Sequence, residues 1–184
     1  MAKGKDWKAK AEKLKQKVDR LKAELGTGPV KTKAKAAKSV SPLAPAGFPD
    51  LPAIAGVEFA AVGAGIKYQN RKDVMLVRLA PGTSVAGAFT RSSTRSGCVR
   101  DCQAKLALKP GPEGAAIIVN SGNSNAFTGR IGDEAVTAVT GAVATALDLP
   151  AGRVFSSSTG VIGEPLPYEK ITAKVPDLVA ALDG

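Results

Sequence analysis

The chain of 184 residues contains no histidine. That single absence removes the Ser-His-Asp triad, the Cys-His pair and the histidine-ligated zinc hydrolases together. Cysteine is nearly as scarce. The two present, Cys98 and Cys102, stand with three residues between them and no second pair, a spacing that argues against a zinc site. On a helix they would share one face as reduced thiols packed like small apolar groups. Aromatic residues make up only 4%, so a core must be built from Val, Ile, Leu and Ala. There is no apolar N-terminal run of the signal-peptide kind and no stretch of membrane-spanning length, so the expectation is a cytoplasmic protein without a membrane.

Charge of one sign is concentrated at one end. Residues 1–38 hold 13 Lys/Arg against 4 Asp/Glu, whereas residues 39–184 hold 13 against 12. The net charge of +10 therefore belongs to a tail, and the body lacks a basic-aromatic platform for stacking bases. Nucleic acid is not an expected partner.

Within the tail, Trp7, Ala11, Leu14, Val18, Leu21 and Leu25 recur in steps of four and three. The spacing predicts an amphipathic helix over 5–25 that orders against a partner or an anionic surface. A basic low-complexity linker follows at 29–41. These readings divide the chain into an appendage at 1–40 and a folded body at 41–184.

In the body, strands are predicted at 54–60, 74–80, 115–120 and 153–156, helices at 99–108 and 132–147, and a further helix or two over 166–183, interrupted by Pro176. Residues 84–90, after the Pro81-Gly82 turn, read as a hairpin partner of 74–80. Alternating strands and helices place the chain in the α/β or α+β class. Asn120 to Gly129 carries Asn, Ser, Thr and Gly after a buried strand, which suits either an architectural loop with satisfied amides or the wall of a site.

The stretch Val154-Phe-Ser-Ser-Ser-Thr-Gly-Val-Ile-Gly-Glu164 organises the remainder. A Thr-Gly pair at a strand end can offer an anion a hydroxyl from Thr159 and an unshielded backbone N–H from Gly160. That is the charge-stabilising half of an acyl-transfer site. The same residues also fit a Ser/Gly-rich turn with no chemistry.

Five segments occur in order: Ser41-Pro-Leu-Ala-Pro-Ala-Gly-Phe-Pro49, Ala64-Gly-Ile-Lys-Tyr68, Val85-Ala-Gly-Ala-Phe-Thr90, Asn120-Ser-Gly-Asn-Ser-Asn-Ala-Phe-Thr-Gly129 and Ser158-Thr-Gly-Val-Ile-Gly-Glu-Pro165. Together they resemble the N-terminal part of the ornithine acetyltransferase family, the bifunctional glutamate N-acetyltransferases of arginine biosynthesis. The resemblance covers 41–184 and implies a fold of layered sheets flanked by helices, like that of N-terminal-nucleophile enzymes, incomplete in this chain. It implies a precursor that cuts itself before a Thr. That Thr then carries acetyl from N-acetylornithine to glutamate, and bifunctional members also accept acetyl-CoA. It further implies a complementary β chain in an α2β2 heterotetramer, and Thr159 and Gly160 as the catalytic oxyanion donors. No other cofactor and no metal are expected. The family's nucleophile and cleavage junction do not occur in these residues, so the chain by itself is expected to be inactive. The alternatives are a truncated domain serving as an interaction module, and a related amidohydrolase in which water replaces glutamate.

Overall fold

The computed structural model describes residues 4–24, 41–47, 49–50, 52–109 and 111–184, and the chain divides into two compact units, Met1–Asp50 and Leu51–Gly184. In the first unit, helix α1 spans Gly4–Glu24, and Leu14, Val18 and Leu21 of its apolar stripe are exposed. The predicted linker at 29–41 lies outside the described residues except for Ser41.

The second unit is a mixed α/β fold. Its four-stranded sheet has the order β1 (Val57–Val62), β2 (Val74–Leu79), β3 (Ala115–Asn123) and β4 (Val154–Val161). The first two pairings are antiparallel, and β3 with β4 is parallel. A parallel pair needs a crossover, here supplied by α3 (Gly129–Leu147). Helix α2 spans Gly97–Leu106, and two short helices, α4 (Tyr168–Thr172) and α5 (Val175–Ala180), close the unit.

One face of the sheet is the core. Leu76, Ile118 and Val154 pack there against Ala135, Val139 and Val143 of α3 and against Ile171 and Leu178. The buried positions of α3 recur with helical periodicity, and its C-terminus is closed by Asp148 in the left-handed conformation at φ 51°. The opposite face carries Phe59, 59% exposed, and Met75, 39% exposed, beside the half-buried Val77, Ile117 and Val119.

Three expectations are corrected. Residues 84–90 form no strand, because β2 already has β1 on one edge and β3 on the other, leaving no place for a hairpin partner. Strand β4 does not stop at Ser156. It continues to Val161, carried by its pairing with the polar end of β3, so Thr159 and Gly160 sit inside a strand. Pro176 does not break a helix midway; it occupies the first turn of α5, where its missing N–H costs nothing.

Two buried charges fix the connections. The Asp73 carboxylate accepts the N–H of Ala64 at 2.6 Å and of Ile66 at 2.7 Å, closing the 63–73 loop on itself. Arg153 donates to the carbonyls of Gly114 and Thr83 at 3.0 and 2.7 Å, holding two loops at the start of β4.

Candidate functional site

The parallel register pairs Asn120 with Ser158, Ser121 with Thr159 and Gly122 with Gly160, and β3 bulges at Gly122 and Asn123. Gly160 has φ +134°, and a β-carbon there would stand 2.3 Å from the Gly122 carbonyl carbon. Gly122, at φ +101°, would in turn meet the Lys67 β-carbon at 2.9 Å. Only glycine permits this approach of backbone on backbone.

Alternation along β4 decides which peptide groups face outward. The Val161 carbonyl accepts the Ser124 N–H at 2.9 Å on the side of β3. The outward side belongs to even-numbered residues, and α2 covers it with side chains. Lys105 Nζ donates to the Val154 carbonyl at 2.7 Å, Cys102 Sγ to the Ser156 carbonyl at 3.4 Å, and Cys98 Sγ to Ser158 Oγ at 3.2 Å. The cover ends there. By the same alternation the Gly160 N–H points to the uncovered stretch beyond, and Thr159 and Gly160 are both exposed.

The cysteines are free, one helical turn apart, as their spacing suggests. They do more than fill space, since each thiol donates to the strand edge. Burial pushes the Cys102 thiol above its ordinary value, so it stays protonated and unreactive at neutral pH.

The asparagine loop is architectural. Ser158 Oγ donates to Asn120 Oδ1 at 2.5 Å, and Asn120 Nδ2 donates to the Asn123 carbonyl at 2.9 Å. Asn123 Nδ2 reaches the Glu164 carbonyl at 3.0 Å, while its Oδ1 accepts the Asn125 N–H at 2.7 Å. Asn125 Nδ2 donates to the Gly132 carbonyl at 2.9 Å in the first turn of α3. All three amides are buried, and together they brace the end of β4 from behind.

Sequence reasoning used the 63–73 loop only through the resemblance of Ala64 to Tyr68 and gave its side chains no role. Lys67 pairs with Glu164 at 2.8 Å, and the hydrogen bond to that carboxylate raises the lysine pKa. Arg71 donates to Ser121 Oγ at 3.0 Å and lies 4.7 Å over the Tyr68 ring. A polar loop of mixed charges has no periodicity to mark it; only the pairing of β2 with β3 brings it beside β4.

A cavity of about 610 Å³ lies at the opposite end of the sheet among Gly56, Leu79, Leu147 and Leu149. A cleft of about 340 Å³ between α2, β4 and residues 85–89 is lined by both thiols and by Ser156, Ser157 and Ser158. Among the described residues no three His, Cys, Asp or Glu side chains gather into a metal-binding group, and no helix is long and apolar enough to cross a membrane.

The end of β4 places an exposed threonine hydroxyl beside an exposed glycine.

A model of the ArgJ family matches residues 58–183. The chain is similar to the arginine biosynthesis bifunctional protein ArgJ of Ruegeria pomeroyi, 63% identical over 144 residues, 78% of this chain and 35% of that protein. Its similarity to the protein of the same name from Nitrobacter winogradskyi is 47% over 145 residues, 77% of this chain and 34% of that one. Among solved structures, it resembles ornithine acetyltransferase complexed with ornithine from Mycobacterium tuberculosis, with TM-score 0.65 and 36% identity over 70% of this chain and 68% of that one. It also resembles the arginine biosynthesis bifunctional protein from Bacillus halodurans, with TM-score 0.60 and 30% identity over 66% of this chain and 62% of that one. The chain spans about a third of the length of the curated relatives it matches.

Proposed function

The chain belongs to the ArgJ family, and on that premise we propose that it supplies the oxyanion-stabilising part of an acetyltransferase of arginine biosynthesis. The acetyl group of N-acetylornithine is attacked by a threonine from a complementary β chain. The carbonyl π electrons then collect on oxygen, where the Thr159 hydroxyl and Gly160 N–H receive them. Collapse of that adduct breaks the C–N bond, releases ornithine as its amine is protonated, and leaves an acetyl-threonine. The glutamate amine attacks the ester next, through a second oxyanion at the same donors, and leaves as N-acetylglutamate. Acetyl-CoA is the additional donor of a bifunctional enzyme, and α2β2 is the assembly.

The observation that carries this reading is that Gly160 is exposed beside the exposed Thr159, at a position that no residue with a β-carbon can occupy. The test is acetyl transfer from N-acetylornithine to glutamate by the complete protein. Thr159→Ala lowers kcat about 10²–10³-fold while KM changes little. Equal kcat in that variant refutes the assignment. Release of free acetate in place of N-acetylglutamate supports the amidohydrolase instead.

A second reading is favoured by the exposed Phe59 and Met75, which give the sheet an apolar face of the kind that docks a partner. In that case the chain is an interaction module without acyl chemistry. Absence of transfer by the wild-type complete protein selects it.

A further inference from the structure

We propose that helix α1 lies on an anionic phospholipid surface, its apolar stripe among the acyl chains and its bordering lysines among the headgroups. The family match begins at residue 58, so the acetyl-transfer reading gives α1 no role, and this inference stands apart from it.

Every residue from Lys10 to Leu21 is exposed, including Leu14 at 69%, Val18 at 43% and Leu21 at 47%. With about 3.6 residues per turn, Ala11, Leu14, Val18 and Leu21 fall within a stripe about 80° wide. Apolar side chains gathered on one exposed stripe mark a docking face.

The charges around the stripe select its occupant. Lys15 borders it on one side, and Lys10 and Lys17 border it on the other, each about 60–80° from its centre. Glu12 and Asp19 stand farther round, about 120–140° from that centre. A lysine at such a border lays its methylene stem along the apolar surface and lifts its ammonium to the level of the lipid phosphates. The acids on the far face stay in water.

The segment that follows strengthens the attraction. Residues 25–38 add Lys31, Lys33, Lys35 and Lys38 and no acid. A polybasic stretch beside an amphipathic helix supplies the second attraction that stable surface binding needs. Residues 39–184, with 13 Lys/Arg against 12 Asp/Glu, add almost nothing to it.

The same borders count against other occupants. In a pair of α1 helices the bordering residues face each other across the seam, and lysine meets lysine whether the helices run parallel or antiparallel. A nucleic acid would attract the lysines but leave Leu14, Val18 and Leu21 in water. Among the described residues no helix is long and apolar enough to cross a membrane, so the contact is with the surface. The expectation of no membrane rested on that lack of a spanning stretch, which a surface helix does not need.

The experiment is flotation of the complete protein with phosphatidylcholine vesicles, with and without about 30% phosphatidylglycerol. The protein should float with the anionic vesicles and stay behind with the neutral ones. Raising salt from about 0.05 to 0.5 M should lower partitioning about tenfold or more. Leu14→Gln with Leu21→Gln should lower it about 10–100-fold, and Lys15→Gln with Lys17→Gln about tenfold. Glutamine is a good helix former, so neither loss is a loss of the helix. Equal flotation with both vesicles, or a loss in the lysine variant alone, overturns the proposal. So does absence of flotation, in which case capture on immobilised polyglutamate assigns α1 to an acidic protein partner and capture on RNA to a nucleic acid.

Amide hydrogen exchange gives a second measurement. Exchange over residues 10–21 should slow about tenfold or more with anionic vesicles and be unchanged with neutral ones. Protection that instead grows with protein concentration, and is indifferent to vesicles, assigns the stripe to a second copy and overturns the proposal.

Discussion

Gly122 and Gly160 stand back to back across the parallel pair, so close that a β-carbon on Gly160 would lie 2.3 Å from the Gly122 carbonyl carbon. The contact is backbone on backbone, and no side chain can yield to relieve it. Gly160→Ala should therefore cost about 2–4 kcal/mol of stability, from strain at positive φ and from the forced separation of β3 and β4. Urea unfolding reads the loss directly. A midpoint unchanged from wild type would mean that the strands part freely.

Thr159→Ser keeps the hydroxyl and removes a methyl on an exposed position. In the complete protein it should retain kcat within about tenfold, whereas Thr159→Ala loses about 10²–10³-fold. Equal losses in the two variants would assign the effect to shape and not to the hydroxyl.

Asp73 satisfies two backbone N–H groups at 2.6 and 2.7 Å from a position that is 5% exposed. Asp73→Ala leaves both without an acceptor and should cost about 2–4 kcal/mol, with Asp73→Asn intermediate because one oxygen remains. The denaturation midpoint should fall with the slope unchanged.

Burial raises the Cys102 thiol pKa in the folded chain, whereas in the unfolded chain the thiol titrates near its ordinary value of about 8.5. The unfolded state thus loses this proton first as pH rises. Stability tied to the neutral thiol is complete below the ordinary value and declines as pH climbs toward the folded one. The urea midpoint should drop further between pH 7 and pH 9.5 in wild type than in Cys102→Ala. Parallel drops would exclude the thiol as the source.

The sheet face bearing Phe59 and Met75 should make the isolated chain self-associate and bind 8-anilinonaphthalene-1-sulfonate, and Phe59→Ser should reduce both. Light scattering that shows a stable monomer at high concentration would contradict this.

Much of the fold is legible where hydrophobic periodicity is strong. The apolar runs of β2 and β3 and the buried stripe of α3 follow from their residue patterns alone. The failures share a cause. Residues 84–90 alternate like a strand, but their place depends on whether β2 has a free edge, and that is settled by β3, far along the chain. Ser156 to Gly160 looks too polar and glycine-rich to continue a strand, yet the matching polar end of β3 extends it. Thr159 and Gly160 stood out because a hydroxyl followed by a residue without a β-carbon is read from two adjacent positions. The Arg71 bond to Ser121 did not, since it depends on the 63–73 loop meeting β3, which no local pattern encodes.

Helix α2 meets the edge of β4 through Cys98, Cys102 and Lys105, which answer Ser158, Ser156 and Val154 in reverse order. The two elements are rulers with different graduations. The helix advances about 1.5 Å per residue and the strand about 3.3 Å. Steps of four and three helical residues match steps of two strand residues closely at one alignment and badly at the next. The pair works as a vernier that sets how far β4 extends along the sheet, and hence where the Gly160 N–H comes to rest. Lengthening α2 by one residue ahead of Cys102 would displace that zero mark without touching the strand itself.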